Sequence, residues 1–498
     1  MVRRLDAVLA AGGPKVLLAG TWGLEREGLR IDRDGRPAAT PHPFPPDDGA
    51  ITVDFAEAQV ELVTSPQPSP EAAWRELSQL HRRLVAAMGD ERLWPLSLPG
   101  RWDDPERLVA ASFAGRPEWA AARAYREALL RRHGRARQAI SGVHYNFSFA
   151  PAFFAAWRTA LGSSAPEPHL RDDAYFALMR NFLRHQHVFN ALWGLSPPED
   201  NAFWLDLLRA SPPAVRADAL RCQSRISSVR LSPLGYGLAP ELAQTIGVTF
   251  ASMAEYRERL GLALRAEKDR PALLAHEREF YSPVRPKLAA SSKGDTAGSP
   301  GAMLDQLGKA GTGYLEFRVF DLDPFEPVGI SLEALRFFHV FVLANLLQPS
   351  APLDAAERAS LAARWRWSTL CGAPLCDCVG APGEEAEVET LFATMTAIAA
   401  HLPAPYGDAV ARAQARWKGT PTHPIDRWRD ERAREPGRVA PLAVGLAAGE
   451  PEARRERRAE RVARPRGSHP LALLEEQPAI GDGELAAGHV GEVAPPAE

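Results

Sequence analysis

Several residues able to hold a divalent cation recur on short alternating stretches. GLEREGLR, at 23–30, sets Glu25 and Glu27 two positions apart. In a strand, side chains two apart share a face, so the two carboxylates repel. TVDFAEAQVELVT adds Asp54, Glu57 and Glu61, VHYNFSF adds His144, and YLEFRVF adds Glu316. Carboxylates with one imidazole suit Mg2+ or Mn2+, and the lack of thiolates argues against structural zinc. Same-face Cα atoms lie about 6.5–7 Å apart along a strand, so neighbouring carboxylates can bridge ions or hold separate ones. A solvated strand face reads the same way, and the residue pattern alone leaves both readings open.

The elements that must carry these residues are strands. VHYNFSF puts Val143, Tyr145, Phe147 and Phe149 on one face and His144, Asn146 and Ser148 on the other. YLEFRVF sets Leu315, Phe317 and Val319 against Glu316 and Arg318, and AQVELVT sets Val60 and Leu62 against Gln59 and Glu61. Asp54 and Glu61 would face opposite sides of one straight strand, so a bend or bulge near Ala56 has to re-aim one of them. Helical spacing marks 70–88, 115–133, 172–194, 251–266, 331–347 and 386–401. The class this implies is α+β, with a mainly antiparallel sheet whose polar face is the active face and helices packed behind it.

Phosphate chemistry needs cations as well. Arg230 and Arg318 fall on strand-like stretches, and Arg285 and Lys287 lie in SPVRPK; the arginine fork matches carboxylate and phosphate geometry. GKAGTG at 308–313 lacks the hydroxyl and glycine spacing of a P-loop, and no dinucleotide fingerprint opens a helix. A bound nucleotide would therefore be held by metals and arginines.

Composition narrows the classes. The chain has 498 residues, 45% hydrophobic and 24% charged, with net charge −3, which points to neither nucleic acid nor membrane. Four cysteines in such a length suit a reducing cytoplasm. The cluster Cys371, Cys376 and Cys378 lacks a C-x-x-C pair and reads as local redox or plain loop chemistry ahead of a metal site. FFHVFVLANLL at 337–347 falls short of the roughly 18 residues a membrane span needs and reads as a buried helix. The N-terminal MVRRLDAVLAAGG is broken by Asp6 and is not read as a signal peptide. SSKGDTAGSPG at 291–301 reads as a loop. The Arg/Glu run at 451–466 reads as solvated, and the segment beyond it as disordered.

Taken together, GLEREGLR, TVDFAEAQVELVTSP, MGDERLWPLSLP, ISGVHYNFSF, SSVRLSPLGYG, EFYSPVRPK and GYLEFRVFDLDPFEPVGI resemble the bacterial glutamate–cysteine ligase family, in that family's order, over about residues 20–347. The resemblance implies a glutamine synthetase-like fold. It also implies ATP-dependent joining of the γ-carboxylate of glutamate to the amine of cysteine, through a γ-glutamyl phosphate, with Mg2+ (or Mn2+) and ATP. Carried over by motif, Glu25, Glu27, Asp54, Glu61, His144 and Glu316 are implied metal ligands. Arg230 and Arg318 are implied to act on the phosphoryl group or the glutamate carboxylates, and Arg285 and Lys287 to hold the nucleotide. Gln138 and Asn146 are implied glutamate contacts; Phe55, Tyr125, Leu129, Tyr236 and Tyr281 are implied to form the cysteine pocket. The expected organisation is a catalytic domain over 1–435 and a tail over 436–498, acting as a monomer or weak oligomer in the cytoplasm on small molecules. A ligase with another acceptor amine and a non-catalytic metabolite binder are the alternatives.

Overall fold

A computed structural model describes residues 2–434 apart from 199–201, 224–225, 236–239, 267–270, 290–298, 372–384 and 420–423. Tyr236, most of the loop at 291–301, Cys376 and Cys378, the Arg/Glu run and the tail lie outside the described residues.

Among the described residues, seven strands form one antiparallel sheet: β1 (Gly20–Ile31), β2 (Ile51–Val53), β3 (Gln59–Val63), β4 (Arg92–Leu93), β5 (Val143–Phe149), β6 (Val284–Lys287) and β7 (Tyr314–Phe320). Their order is β2-β3-β1-β5-β7-β6, with β4 pairing to β1. The class is α+β, as the alternation implies. One face is mainly apolar where the helices cover it, with Arg26 a buried charged exception. Phe338, on the helix Leu332–Leu347, meets the rings of Tyr145, Phe317 and Phe320 at 4.9, 5.1 and 4.9 Å. Phe182, on the helix Glu167–Trp193, meets Phe317 at 4.9 Å. Polar groups on this side find partners: Trp22 Nε1 donates to Tyr145 Oη at 2.8 Å. The helix Leu332–Leu347 is buried almost all round, which accounts for its near-continuous apolar sequence.

Helix starts follow local chemistry. Ser69 accepts from the backbone N–H of Ala72, with Pro70 in the first helical position. Ser331 does the same for Ala334. The stretch expected as a helix from 115 begins later, as Ala120–Gln138. Short 3-10 turns at Phe113–Gly115 and Pro117–Trp119 take up its start. Gly134, at φ 75°, then breaks it into two pieces.

The bend expected near Ala56 is a complete reversal. β2 and β3 pair as a hairpin, Thr52 opposite Glu61. The turn is closed by Asp54 N–H to Gln59 O at 3.1 Å and Gln59 N–H to Ala56 O at 2.8 Å. Between β5 and β7 the register shifts, with Val143 opposite Phe320 but Tyr145 opposite Phe317. Two residues, Arg318 and Val319, therefore span the single His144. That bulge keeps Arg318 toward the polar face while Val319 and Phe320 both bury.

Candidate active site

The register gathers the acids. Glu27 stands opposite Glu61 across β1 and β3, Glu25 opposite His144 across β1 and β5, and Asn146 opposite Glu316 across β5 and β7. Residues directly opposite in an antiparallel pair point to one face, so carboxylates from three strands converge beside one imidazole. Ligand atoms of Glu25, Glu61 and His144 lie within 4.8 Å of one another. Asp54 joins from the β2–β3 turn, near enough for its charge to act on Glu27 and Glu61.

His144 shows how the cluster is poised. Its Nδ1 lies 3.0 Å from Glu25 Oε2 in hydrogen-bond geometry. Its Nε2 lies 3.2 Å from Glu27 Oε1, yet is buried without a hydrogen bond. Burial, together with the Arg318 charge, lowers the imidazole to about 4, so the ring is neutral. The proton belongs on Nδ1, and the Nε2 lone pair faces a carboxylate. Glu316 Oε2 is likewise buried without a hydrogen bond. Orphaned lone pairs among hard oxygens, in a buried cluster, fit a divalent cation.

The acids divide by how their charge is met. Burial pushes Glu316 up, but Lys287, 3.0 Å away, and Arg318, 3.6 Å away, hold it well below the usual range. Burial also pushes Glu25 up, but the hydrogen bond and charge of His144 with the charge of Lys287 together leave it below the ordinary value, and Asn146 Nδ2 donates to the other oxygen at 2.9 Å. Burial and the Asp54 charge raise Glu27 to about 8, although Gly142 N–H donates to it at 3.0 Å. Burial, then Glu25 and Asp54, push Glu61 far up. Asp54 is raised by burial against the pull of Arg126 and Arg318.

Comparison with known proteins follows this geometry. The glutamate–cysteine ligase family pattern matches residues 5–367. A glutamate–cysteine ligase of Clostridium acetobutylicum is 30% identical, the match covering 72% of this chain and 78% of that one. One from Vibrio vulnificus is also 30% identical, covering 80% and 79%.

The chain belongs to the glutamate–cysteine ligase family.

A crystal structure of a glutamate–cysteine ligase from Francisella tularensis in complex with AMP shares the fold at TM-score 0.72, with 24% identity and 92% of each chain covered. The family match runs about twenty residues past residue 347, where the resemblance seen in the sequence ends, into the helix Ala355–Cys371.

Within this ligase fold the implied residues fall into place unevenly. All six implied metal ligands share the polar face or its rim. Glu57 does not join them: the turn sends it outward, where it accepts from Ser112 N–H at 2.6 Å and His42 N–H at 2.9 Å and ties two loops together. Arg230 Nη1 donates to Arg318 O at 3.1 Å. The Arg230 guanidinium lies flat against Gly142, where any Cβ would overlap it. Arg285, opposite Glu316 on β6, is buried with Nε and Nη2 lacking hydrogen bonds. Asn146 orients Glu25 with its amide nitrogen and leaves its buried oxygen without a hydrogen bond. Gln138 is buried at the end of the helix Ala120–Gln138. Tyr125 lies near Tyr281, and Phe55 and Leu129 are buried in the segments that carry Asp54 and Tyr125.

Two residues escaped the sequence reading. Arg126 donates from Nε to Asp54 O at 2.7 Å, lies 4.7 Å over the Phe113 ring, and sends its charge toward Asp54 and Glu61. Glu279, buried and 2.9 Å from Arg132, lies behind Tyr125 and Tyr281. Backbone acceptors and non-local ion pairs leave no local sequence pattern; the one available hint for Arg126 was its place beside Tyr125.

Proposed function

We propose that this protein is an ATP-dependent ligase joining the γ-carboxylate of L-glutamate to the amine of L-cysteine, giving γ-glutamylcysteine, ADP and phosphate. The observation that carries the reading is the convergence of Glu25, Glu27, Asp54, Glu61, Glu316 and His144 on one sheet face, bordered by Arg230, Arg285 and Arg318.

A carboxylate becomes an electrophile toward amines once it is phosphorylated. When bound, divalent cations would neutralise the phosphoryl oxygens and the acceptor carboxylate; Glu25, Glu27, Asp54, Glu61, Glu316 and His144 are the residues to hold them. Arg285, buried with unpaired N–H groups, and Lys287 supply positive charge to the nucleotide phosphates. Arg318, between Glu316 and His144, is placed to stabilise charge on the transferring phosphoryl group, and Arg230 is fixed beside it by Gly142 and Arg318 O. The unpaired Asn146 oxygen offers an acceptor for the ammonium of glutamate, with Gln138 as a second contact. Phe55, Tyr125, Leu129 and Tyr281 wall the acceptor side and exclude water that would hydrolyse the acyl phosphate; Tyr236, implied beside them by the resemblance, lies outside the described residues. No covalent enzyme nucleophile is needed. The sparse cysteines and the demand for ATP suit a cytoplasmic reaction.

The test is ADP and phosphate release with Mg2+, ATP and glutamate, cysteine being compared with other amines and the product identified by mass. γ-Glutamylcysteine is expected. Product with another amine but none with cysteine overturns the acceptor assignment, and no glutamate-dependent turnover with any amine overturns the ligase reading.

A further inference from the structure

Asp321 directly follows β7 and takes no part in the cation cluster. Its side chain is completely enclosed. Oδ2 accepts from Leu195 N–H at 2.8 Å and from Ser196 Oγ at 2.9 Å. Oδ1 lies 3.9 Å from Arg230 Nη1 and has no hydrogen-bond partner among the described residues. A proton on Oδ1 would find no acceptor there, while two donors converge on Oδ2, as they do on an ionised carboxylate. Burial pushes the acid up; the Arg230 charge and the hydrogen bonds pull it back.

The same web reaches the main chain of Arg230. Ser196 gives its hydroxyl proton to Asp321, and its oxygen accepts from Arg230 N–H at 3.1 Å. Val229 N–H donates to Ser196 O at 2.7 Å, and Ser196 N–H to Ser227 O at 2.8 Å, so the two segments are joined side by side. Asp321 therefore holds Arg230 at two places: through Ser196 at the main chain, and by charge at the guanidinium.

That charge has a purpose. Arg230 is only 2% exposed, and a buried guanidinium is costly without opposite charge. Glu27 feels the Arg230 charge but is raised to about 8 by burial and by Asp54, which makes it a poor counter-ion near neutral pH. At 3.9 Å the pair with Asp321 is longer than a hydrogen bond. It fixes the place and charge of the guanidinium without the two-pronged pairing that would turn the fork away from a phosphoryl group.

We propose, on the ligase reading given above, that Asp321 is the positioning residue of Arg230, holding its guanidinium in place for phosphoryl transfer. Arg230 meets charge that develops as the phosphoryl group moves, so loss of the positioning carboxylate is read in kcat and not in substrate binding.

Asp321→Asn keeps the shape and removes the charge. With Mg2+, ATP, glutamate and cysteine, kcat should fall about 10–100-fold while KM for ATP and for cysteine stays within about twofold. A double-mutant cycle separates positioning from mere structural support. In an Arg230→Ala background, Asp321→Asn should cost less than about twofold more, because the group it positions is gone. Added guanidinium should restore part of the activity of Arg230→Ala and less of that of the double variant. Ser196→Ala, which removes both the donor to Asp321 and the acceptor for Arg230 N–H, should lower kcat with the same non-additivity, and its cycle decides the matter if Asp321→Asn does not fold. Losses that multiply in the double variants overturn the proposal and leave the ligase reading standing, as does wild-type kcat in Asp321→Asn or a rise in KM with kcat unchanged. No glutamate-dependent turnover by the unmodified protein with cysteine or any other amine overturns both readings.

Discussion

Cation binding should be steeply dependent on pH, and the slope should count Glu27 and Glu61. Burial and the neighbouring Asp54 raise Glu27 to about 8, and Glu61 is pushed well above the ordinary carboxylate range. Near neutral pH Glu27 carries its proton and Glu61 is shifted the same way, whereas Glu25 and Glu316 are held below the ordinary range with help from His144 and from Lys287 with Arg318. A cation that uses all four must expel the proton of Glu27, and a second one where Glu61 is protonated as well. Below a ligand's pKa, each expelled proton makes apparent affinity rise about tenfold per pH unit, or about 1.4 kcal/mol. Going from about pH 6 to about pH 7, affinity for Mn2+ or Mg2+ should therefore rise about 100-fold when both acids titrate and about tenfold when one does. His144, lowered to about 4, is neutral throughout this window and adds nothing to the slope. Glu27→Gln removes one titrating ligand, so the dependence should drop by one proton while the fold persists. Calorimetric titration with Mn2+ in two buffers of different ionisation enthalpy counts the protons directly. Equal affinity at both pH values with no proton release would refute the reasoning, since the raised acids would then not be ligands.

Three further outcomes follow from single contacts. Gly142→Ala places a Cβ on the Arg230 guanidinium; kcat/KM should fall about 100-fold or more with the thermal melt nearly unchanged, and wild-type kinetics would show that the placement of Arg230 does not matter. Arg126→Ala frees the carbonyl of Asp54 and removes charge from beside Glu61, so cation affinity should weaken about 10–100-fold, with Arg126→Lys recovering part of it; identical affinities in both variants would remove Arg126 from the site. His339 is fully buried, hydrogen-bonded through Nε2 to Leu17 O at 2.8 Å and lowered by burial from 6.5 to about 4. The unfolded chain then takes up its proton as pH falls below 6.5 while the folded chain does not, so stability is lost between 6.5 and 4; by about pH 5 the loss is about 2 kcal/mol. Urea unfolding at about pH 7 and pH 5 should show that loss and should show it reduced in His339→Gln.

What could be read from the sequence depended on whether the signal was periodic. β5 and β7 alternate because one face meets helices and the other meets the site, so VHYNFSF and YLEFRVF declare both strand and face. The hairpin at Asp54 does not declare itself. Val53, Val60 and Val63 favour strands on either side, and only cross-strand pairing shows that Thr52 meets Glu61. Family resemblance implied a set of metal ligands, but which of those acids would be ionised depends on distances to Lys287, Arg318 and His144 that no strand pattern encodes. The web around Arg230 was hidden for a similar reason: Ser196, Arg230 and Asp321 come from separate segments, each unremarkable alone.

That same distribution of cations indicates where a metal is most needed. Lys287 and Arg318 sit beside Glu316, and Arg126 attends Asp54. Arg26 lies on the opposite, helix-facing side of β1, only 2% exposed, with Nε and Nη1 lacking hydrogen bonds; burial lowers it to about 10 and the charge of Glu27 resists that. A buried guanidinium without a carboxylate contact is costly, and here its electrostatic counterpart is Glu27, the next residue in the chain. Even so, neither Glu27 nor Glu61 has a cation in direct contact among the described residues, and burial pushes both well upward. Arginines and a lysine rim the cluster, while its centre, between Glu25, Glu61 and His144, is left to oxygen and nitrogen lone pairs. A divalent ion held there would supply the missing positive charge where a side chain would take the place of substrate.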